Sequence, residues 1–150
     1  MKRITELRDL SDDHHTTLVL ARRCRESADP GAPVRVRVAW HQVREVFASH
    51  LEPHFEIEER HLLPALETIG EAVLADRIRD DRASIRALVK RASPGPAEVG
   101  RFGRLLESHV RFEEREVFEV VQSRLPATTL RAIAEACRST PRGCPTFLQT

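Results

Sequence analysis

Apolar residues along this chain recur at steps of three and four, and almost nowhere do they alternate. The clearest alternating run, VRVRVAW at residues 34–40, is short and leads directly into a helical pattern. Glycine and proline cluster at a few places and cut the chain into helices. The first covers residues 11–28, with Ser11, Asp12 and Asp13 as capping and first-turn residues, and ends at DPGAP. The second runs over about residues 34–68; Pro53 inside it predicts a bend, and Pro64 predicts its end soon after. The third covers about residues 71–92 and stops at SPGP, and the fourth covers about residues 97–124, just before Pro126. A shorter fifth, ATTLRAIAEACR, follows at residues 127–138. Four long helices with short connections predict an all-α, up-down-up-down four-helix bundle with a short C-terminal fifth helix. Residues 1–138 would form the bundle, and residues 139–150, with two prolines and a glycine, a flexible C-terminal tail.

The core stripes contain residues that a core should reject. On the second helix Phe47, His50, His54, Ile57, Glu58, His61 and Ala65 share one face. On the fourth, Phe102, Leu105, His109, Phe112, Glu113, Glu116, Val117 and Val120 do the same. A histidine followed four residues later by a glutamate therefore occurs twice, each time among positions due for burial. A buried carboxylate is costly unless a positive charge meets it. Arginine could supply that charge. A metal ion does so better where histidines converge, and imidazole with carboxylate suits iron, zinc or manganese.

Composition narrows the function classes. There are 24 Lys+Arg against 23 Asp+Glu, interleaved along the chain, which argues against a dedicated nucleic-acid surface. No apolar run approaches the roughly 18–20 residues needed to span a bilayer, and the charged start MKRITELRDLSDD lacks a secretory signal, so a cytoplasmic protein is expected. Three cysteines, Cys24, Cys137 and Cys144, do not make a disulfide framework. Cys24 belongs in the core, and Cys137 with Cys144 forms a minor redox alternative. A chain of 150 residues can bury a core without a structural metal, so any metal would be functional.

HFEIEERHLLPAL, HVRFEEREVF and the DDHH of the first helix together resemble the hemerythrin-like family, also called the HHE cation-binding domain, over about residues 10–125. The order of the pair separates it from ferritin-like bundles, which place glutamate before histidine. The resemblance implies a four-helix bundle around a non-haem di-iron centre. It makes His54 a terminal ligand and Glu58 a bridging carboxylate, with His109 and Glu113 in the matching parts. One histidine would come from the first helix, from His14 or His15. Core periodicity favours His14, and the His-x-x-Leu form favours His15.

The third helix departs from the family's pattern. Its segment reads RIRDDRASIRALV, and Arg82 stands where a histidine is expected. Asp81 could coordinate instead, His61 could swing in, the site could hold one metal, or Arg82 could turn inward and neutralise Glu58 and Glu113 itself, leaving no metal at all. The expected function is accordingly a metal-binding protein, non-haem iron with one or two ions, that binds or senses O2, iron or redox state. The alternative is a metal-free or metal-impaired bundle acting as an interaction module. O2 or a similar small ligand is the expected partner, and a homodimer is allowed. Nothing supplies a nucleotide-binding loop or a nucleophile–base pair, so catalysis is not the first expectation. His50 and His61 are expected at the rim of the site or supporting its ligands from behind, His41 at the surface and Trp40 in packing. Glu59, Glu114 and Glu116 are expected to face outward or pair with arginines such as Arg60 and Arg115.

Overall fold

In a computed structural model, residues 2–143 are described. They form five helices, with no strand among the described residues. Helix α1 is Arg8–Ser27, preceded by a 3-10 turn at Thr5–Leu7. Helix α2 is made in succession of Pro33–Val46, a π-helical turn Phe47–Leu51, Glu52–His61 and Leu63–Thr68. Helix α3 is Ala72–Val89. Helix α4 joins Pro96–Phe112, a second π-helical turn Glu113–Val117 and Phe118–Arg124. Helix α5 is Ala127–Ser139. This is the expected all-α bundle with its fifth helix. No helix among the described residues is long and apolar enough to cross a membrane.

The helix ends follow local chemistry. Gly70, with φ of 86°, closes α2, and the Glu71 N–H reaches back to the Leu66 carbonyl at 2.8 Å. Pro96 sits in the first turn of α4, where its missing N–H costs nothing. The first helix corrects the expected start: it begins at Arg8, so Asp13 and His14 lie well inside it rather than in a first turn. Pro53 does not break α2. A π-helical turn precedes it, and Pro53 falls in the first turn of the segment that follows. Proline has no N–H to offer the Ser49 carbonyl four residues back, and the Gly143 N–H donates to that oxygen at 2.7 Å. The expected flexible tail falls mostly on residues 144–150, which lie outside the described residues, as does Cys144.

Two apolar clusters fill the bundle. One gathers Leu7, Leu10, Ile57, Leu62, Leu66, Ile78, Phe112, Phe118, Val121 and Ile133. The other gathers Leu20, Cys24, Trp40, Val43, Leu51, Phe55, Ile85, Phe102 and Leu106. Trp40 donates its indole N–H to the Arg91 carbonyl at 2.9 Å and meets Phe102 edge-on, in the packing role expected of it. Helices α1 and α4 make the most extensive contact, and Gly103 sets its closeness. A Cβ there would lie 2.6 Å from the Ala21 carbonyl oxygen and 3.0 Å from the Cys24 Cβ. Between the two clusters, each main helix contributes buried polar residues at one level: Asp13 and His14, His54 and Glu58, Arg82, and His109 and Glu113.

Candidate metal centre

Four helices bring the polar layer together. Helical spacing explains why each pair shares a face: His54 with Glu58, and His109 with Glu113, are four residues apart. Arg82 lies between Ile78 and Ile85 on the inward stripe of α3. On α1, Asp13 and His14 are buried between Leu10 and Thr17, and His15 is exposed. Adjacent helical residues point about 100° apart; the inward sector of α1 takes Asp13 and His14, and His15, a further 100° round, falls outside it.

One ligand atom each from His14, His54, Glu58 and Glu113 lies within 4.8 Å of the other three. The contacts are His14 Nε2 to Glu113 Oε2 at 2.9 Å and His54 Nε2 to Glu58 Oε1 at 3.2 Å. His109 Nε2 lies 3.0 Å from Glu113 Oε1. His109 adjoins this quartet without belonging to it.

The outer nitrogens of the three imidazoles are all engaged. His14 Nδ1 donates to Glu114 Oε1 at 2.8 Å, His54 Nδ1 to Asp13 Oδ2 at 2.9 Å, and His109 Nδ1 to Asp81 Oδ2 at 3.2 Å. The inner nitrogens are not. His14, His54 and His109 Nε2, Glu58 Oε1 and Glu113 Oε2 are buried without an aligned hydrogen-bond partner, despite the short separations. Buried polar atoms are rarely left so. Imidazoles that give one N–H to a carboxylate and aim the other nitrogen inward have the arrangement of metal-ligating histidines. The residues present therefore fit a divalent cation.

Arg82 crosses the same layer. It is fully buried, and its Nη2 is ion-paired to Glu58 Oε2 and lies 3.2 Å from Glu113 Oε1. Its Nη1 donates to the Phe55 carbonyl at 3.2 Å, and the guanidinium lies 4.5 Å from the centre of the Phe55 ring. Of the options for the missing third-helix ligand, the inward arginine is the one seen. Asp81 supports His109 from outside rather than entering the cluster. His61 is half-buried and lines a separate surface recess with Glu56, Ile57 and Arg60.

Without a cation, protons balance the layer. Burial alone would depress the His14 imidazole, but Glu113 and Glu114 outweigh it and raise its pKa to about 10. His54 is raised against the same burial by Glu58 and Asp13, and His109 by Glu113 and Asp81. Burial would raise the Glu113 carboxyl, yet His109, His14 and Arg82 hold it well below the usual range.

Several partners were not legible beforehand. Asp13 ties α1 to α2 and to the segment after α5: it accepts from His54, its carboxylate lies 2.6 Å from Arg142 Nε, and its carbonyl lies 3.4 Å from His50 Nε2. His50 Nδ1 donates to the Gly143 carbonyl at 2.7 Å. Glu114 does not turn outward to Arg115; it holds His14 and pairs with Arg3 at 2.8 Å. Glu59 pairs with Arg86 at 2.8 Å rather than with Arg60. Glu116 is exposed although it falls on the expected stripe. The π-helical turn inserts one residue per turn there, so Val117, Phe118 and Val121 take the inward places and Val120 is left half-buried.

The family model of the hemerythrin HHE cation binding domain matches residues 5–121. No curated protein and no solved structure matches the chain.

Proposed function

We propose that this chain, which belongs to the hemerythrin HHE cation-binding domain family, holds non-haem iron in its buried polar layer and uses it to bind or sense O2 or a similar small ligand. One observation carries the reading: three imidazoles anchored at Nδ1 by carboxylates turn their buried Nε2 atoms inward, each 2.9–3.2 Å from an oxygen of one of two buried glutamates but in no aligned hydrogen bond. His14, His54, Glu58 and Glu113 are the proposed holders of the ion, with His109 beside them. Iron bound there supplies a redox-active centre with affinity for diatomic ligands; zinc and manganese suit the same donors, and zinc has no redox chemistry to offer. The residues' own work is to fix direction. Asp13, Glu114 and Asp81 lock the imidazole tautomers, and Phe55 and Phe118 pack against the rings and keep the layer dry. Cys24 and Cys137 are free and buried, which suits a cytoplasmic, reducing setting.

Anaerobic titration of the chelator-stripped protein with Fe2+, followed by O2, tests the proposal. The expected result is stoichiometric iron uptake and an iron-dependent absorption change on O2 addition, both lost in His54→Ala. Uptake below one equivalent would defeat it. A second reading, a bundle without a metal that serves as an interaction module, draws on the guanidinium of Arg82 already paired with both buried glutamates. That reading requires no iron uptake by the parent protein.

A further inference from the structure

Each buried glutamate divides its two oxygens between two sides of the layer. Glu58 turns Oε1 toward His54 Nε2, at 3.2 Å, and Oε2 toward Arg82 Nη2. Glu113 turns Oε2 toward His14 Nε2, at 2.9 Å, and Oε1 toward both Arg82 Nη2, at 3.2 Å, and His109 Nε2, at 3.0 Å. The two carboxylates thus bridge two cation positions. The first is bounded by His14 and His54, and its four donor atoms converge. In the second a guanidinium nitrogen already sits, next to His109.

We propose that the pocket takes one divalent cation per chain, at His14, His54, Glu58 and Glu113, and that Arg82 is a resident cation filling the second position. This rests on the reading that the layer binds a metal, and adds to it a stoichiometry and an address. Three features make Arg82 hard to displace. Its guanidinium does not lose its proton, so it cannot become a neutral ligand. It is held from several sides, by Glu58, by Glu113, by the Phe55 carbonyl and by the face of the Phe55 ring. It is also fully buried, so displacing it would move a charge out of a packed layer. A second divalent ion would have to enter against this fixed charge. The arrangement leaves His109 Nε2 beside Glu113 Oε1, the oxygen that Arg82 Nη2 also approaches, as the unused ligand of the filled position.

The test is metal stoichiometry. Parent protein, Arg82→His and Arg82→Ala are stripped with chelator, reconstituted anaerobically with excess Fe2+ and desalted. Iron per chain is then read by elemental analysis and by native mass spectrometry. The inference expects one ion in the parent and two in Arg82→His, with Arg82→Ala following Arg82→His if it folds. Two ions in the parent would overturn it, since Arg82 would then give way. One ion in both the parent and a folded Arg82→His would overturn it too, because the second position would not be what Arg82 holds. No ion in the parent would bring down the metal reading itself, a result distinct from either.

Discussion

Replacing Arg82 by methionine in the metal-free protein isolates what the guanidinium does for the fold. Arg82, Glu58 and Glu113 are all fully buried, so water cannot take over when the arginine is gone. Methionine fills much of the same volume, which keeps the cavity contribution small. What remains is electrostatic. Two unit charges 4 Å apart interact by about 4 kcal/mol at an effective dielectric of 20. Breaking a buried pair by removing one partner typically costs about 3–5 kcal/mol. Taking ~4 kcal/mol, a protein of this size should lose about 8–16 °C in Tm. Thermal unfolding in chelator, followed by circular dichroism, reads the loss. Arg79→Met is the control, because Arg79 pairs with Glu67 at the surface and should matter little. Adding a divalent cation should then rescue Arg82→Met more than the parent, since the cation replaces the missing charge; at 100-fold above Kd it returns about 2.7 kcal/mol. A change in Tm no larger than that of the Arg79 control, or an equal cation response in the two proteins, would refute the reasoning.

Three further outcomes are expected. Asp13→Asn removes the carboxylate that orients His54 and should weaken cation affinity by about 10–100-fold with the helical circular dichroism unchanged; an unaltered affinity would count against the oriented-imidazole account. In the metal-free protein the raised imidazole pKa values stabilise the fold fully below the unfolded value of about 6.5 and lose that contribution as pH rises toward the folded values, about 10 for His14. The depressed Glu113 adds stability that is present above its ordinary range and lost as acid approaches its folded value. Metal-free stability should therefore fall between pH 6.5 and 10, while cation affinity tightens over the same range because the imidazoles must shed protons to bind; urea midpoints with chelator and zinc titrations at pH 6.5 and 8 check both. Gly103→Ala places a Cβ 2.6 Å from the Ala21 carbonyl and should destabilise by about 1–3 kcal/mol despite alanine's better helix propensity, measured by urea denaturation; a gain in stability would show that α1 and α4 can part at no cost.

The bundle and half of its polar layer were legible because they are local. A histidine and a glutamate four residues apart face one way whatever the rest of the chain does, and both pairs lay on apolar stripes. What supports them is not local. Asp13 meets His54 across 41 positions, and Glu114 meets His14 across 100. Asp13 read as a capping residue only because the helix was expected to start at Ser11 instead of Arg8. The π-helical turns were hidden for another reason: Glu113–Val117 changes the register, and no periodic template anticipates it, so the stripe counted along the fourth helix ran through Glu116 and Val120 where the structure turns Val117, Phe118 and Val121 inward. Arg82 was recognisable as a departure, and its place between Ile78 and Ile85 was the available sign that it turns inward. Which of its alternatives held depended on where α2 and α4 put Glu58 and Glu113, and spacing along α3 says nothing about that. Choosing between His14 and His15 likewise needed the actual phase of α1 against its neighbours.

A crystal of the iron-reconstituted protein, measured on both sides of the iron absorption edge, addresses the central claim most directly. The account predicts an anomalous peak inside the bundle, ringed by His14, His54, Glu58 and Glu113, with the Arg82 guanidinium still on the far oxygens of the two glutamates. A layer with no anomalous peak, or a peak bound by surface residues away from these four side chains, would contradict it.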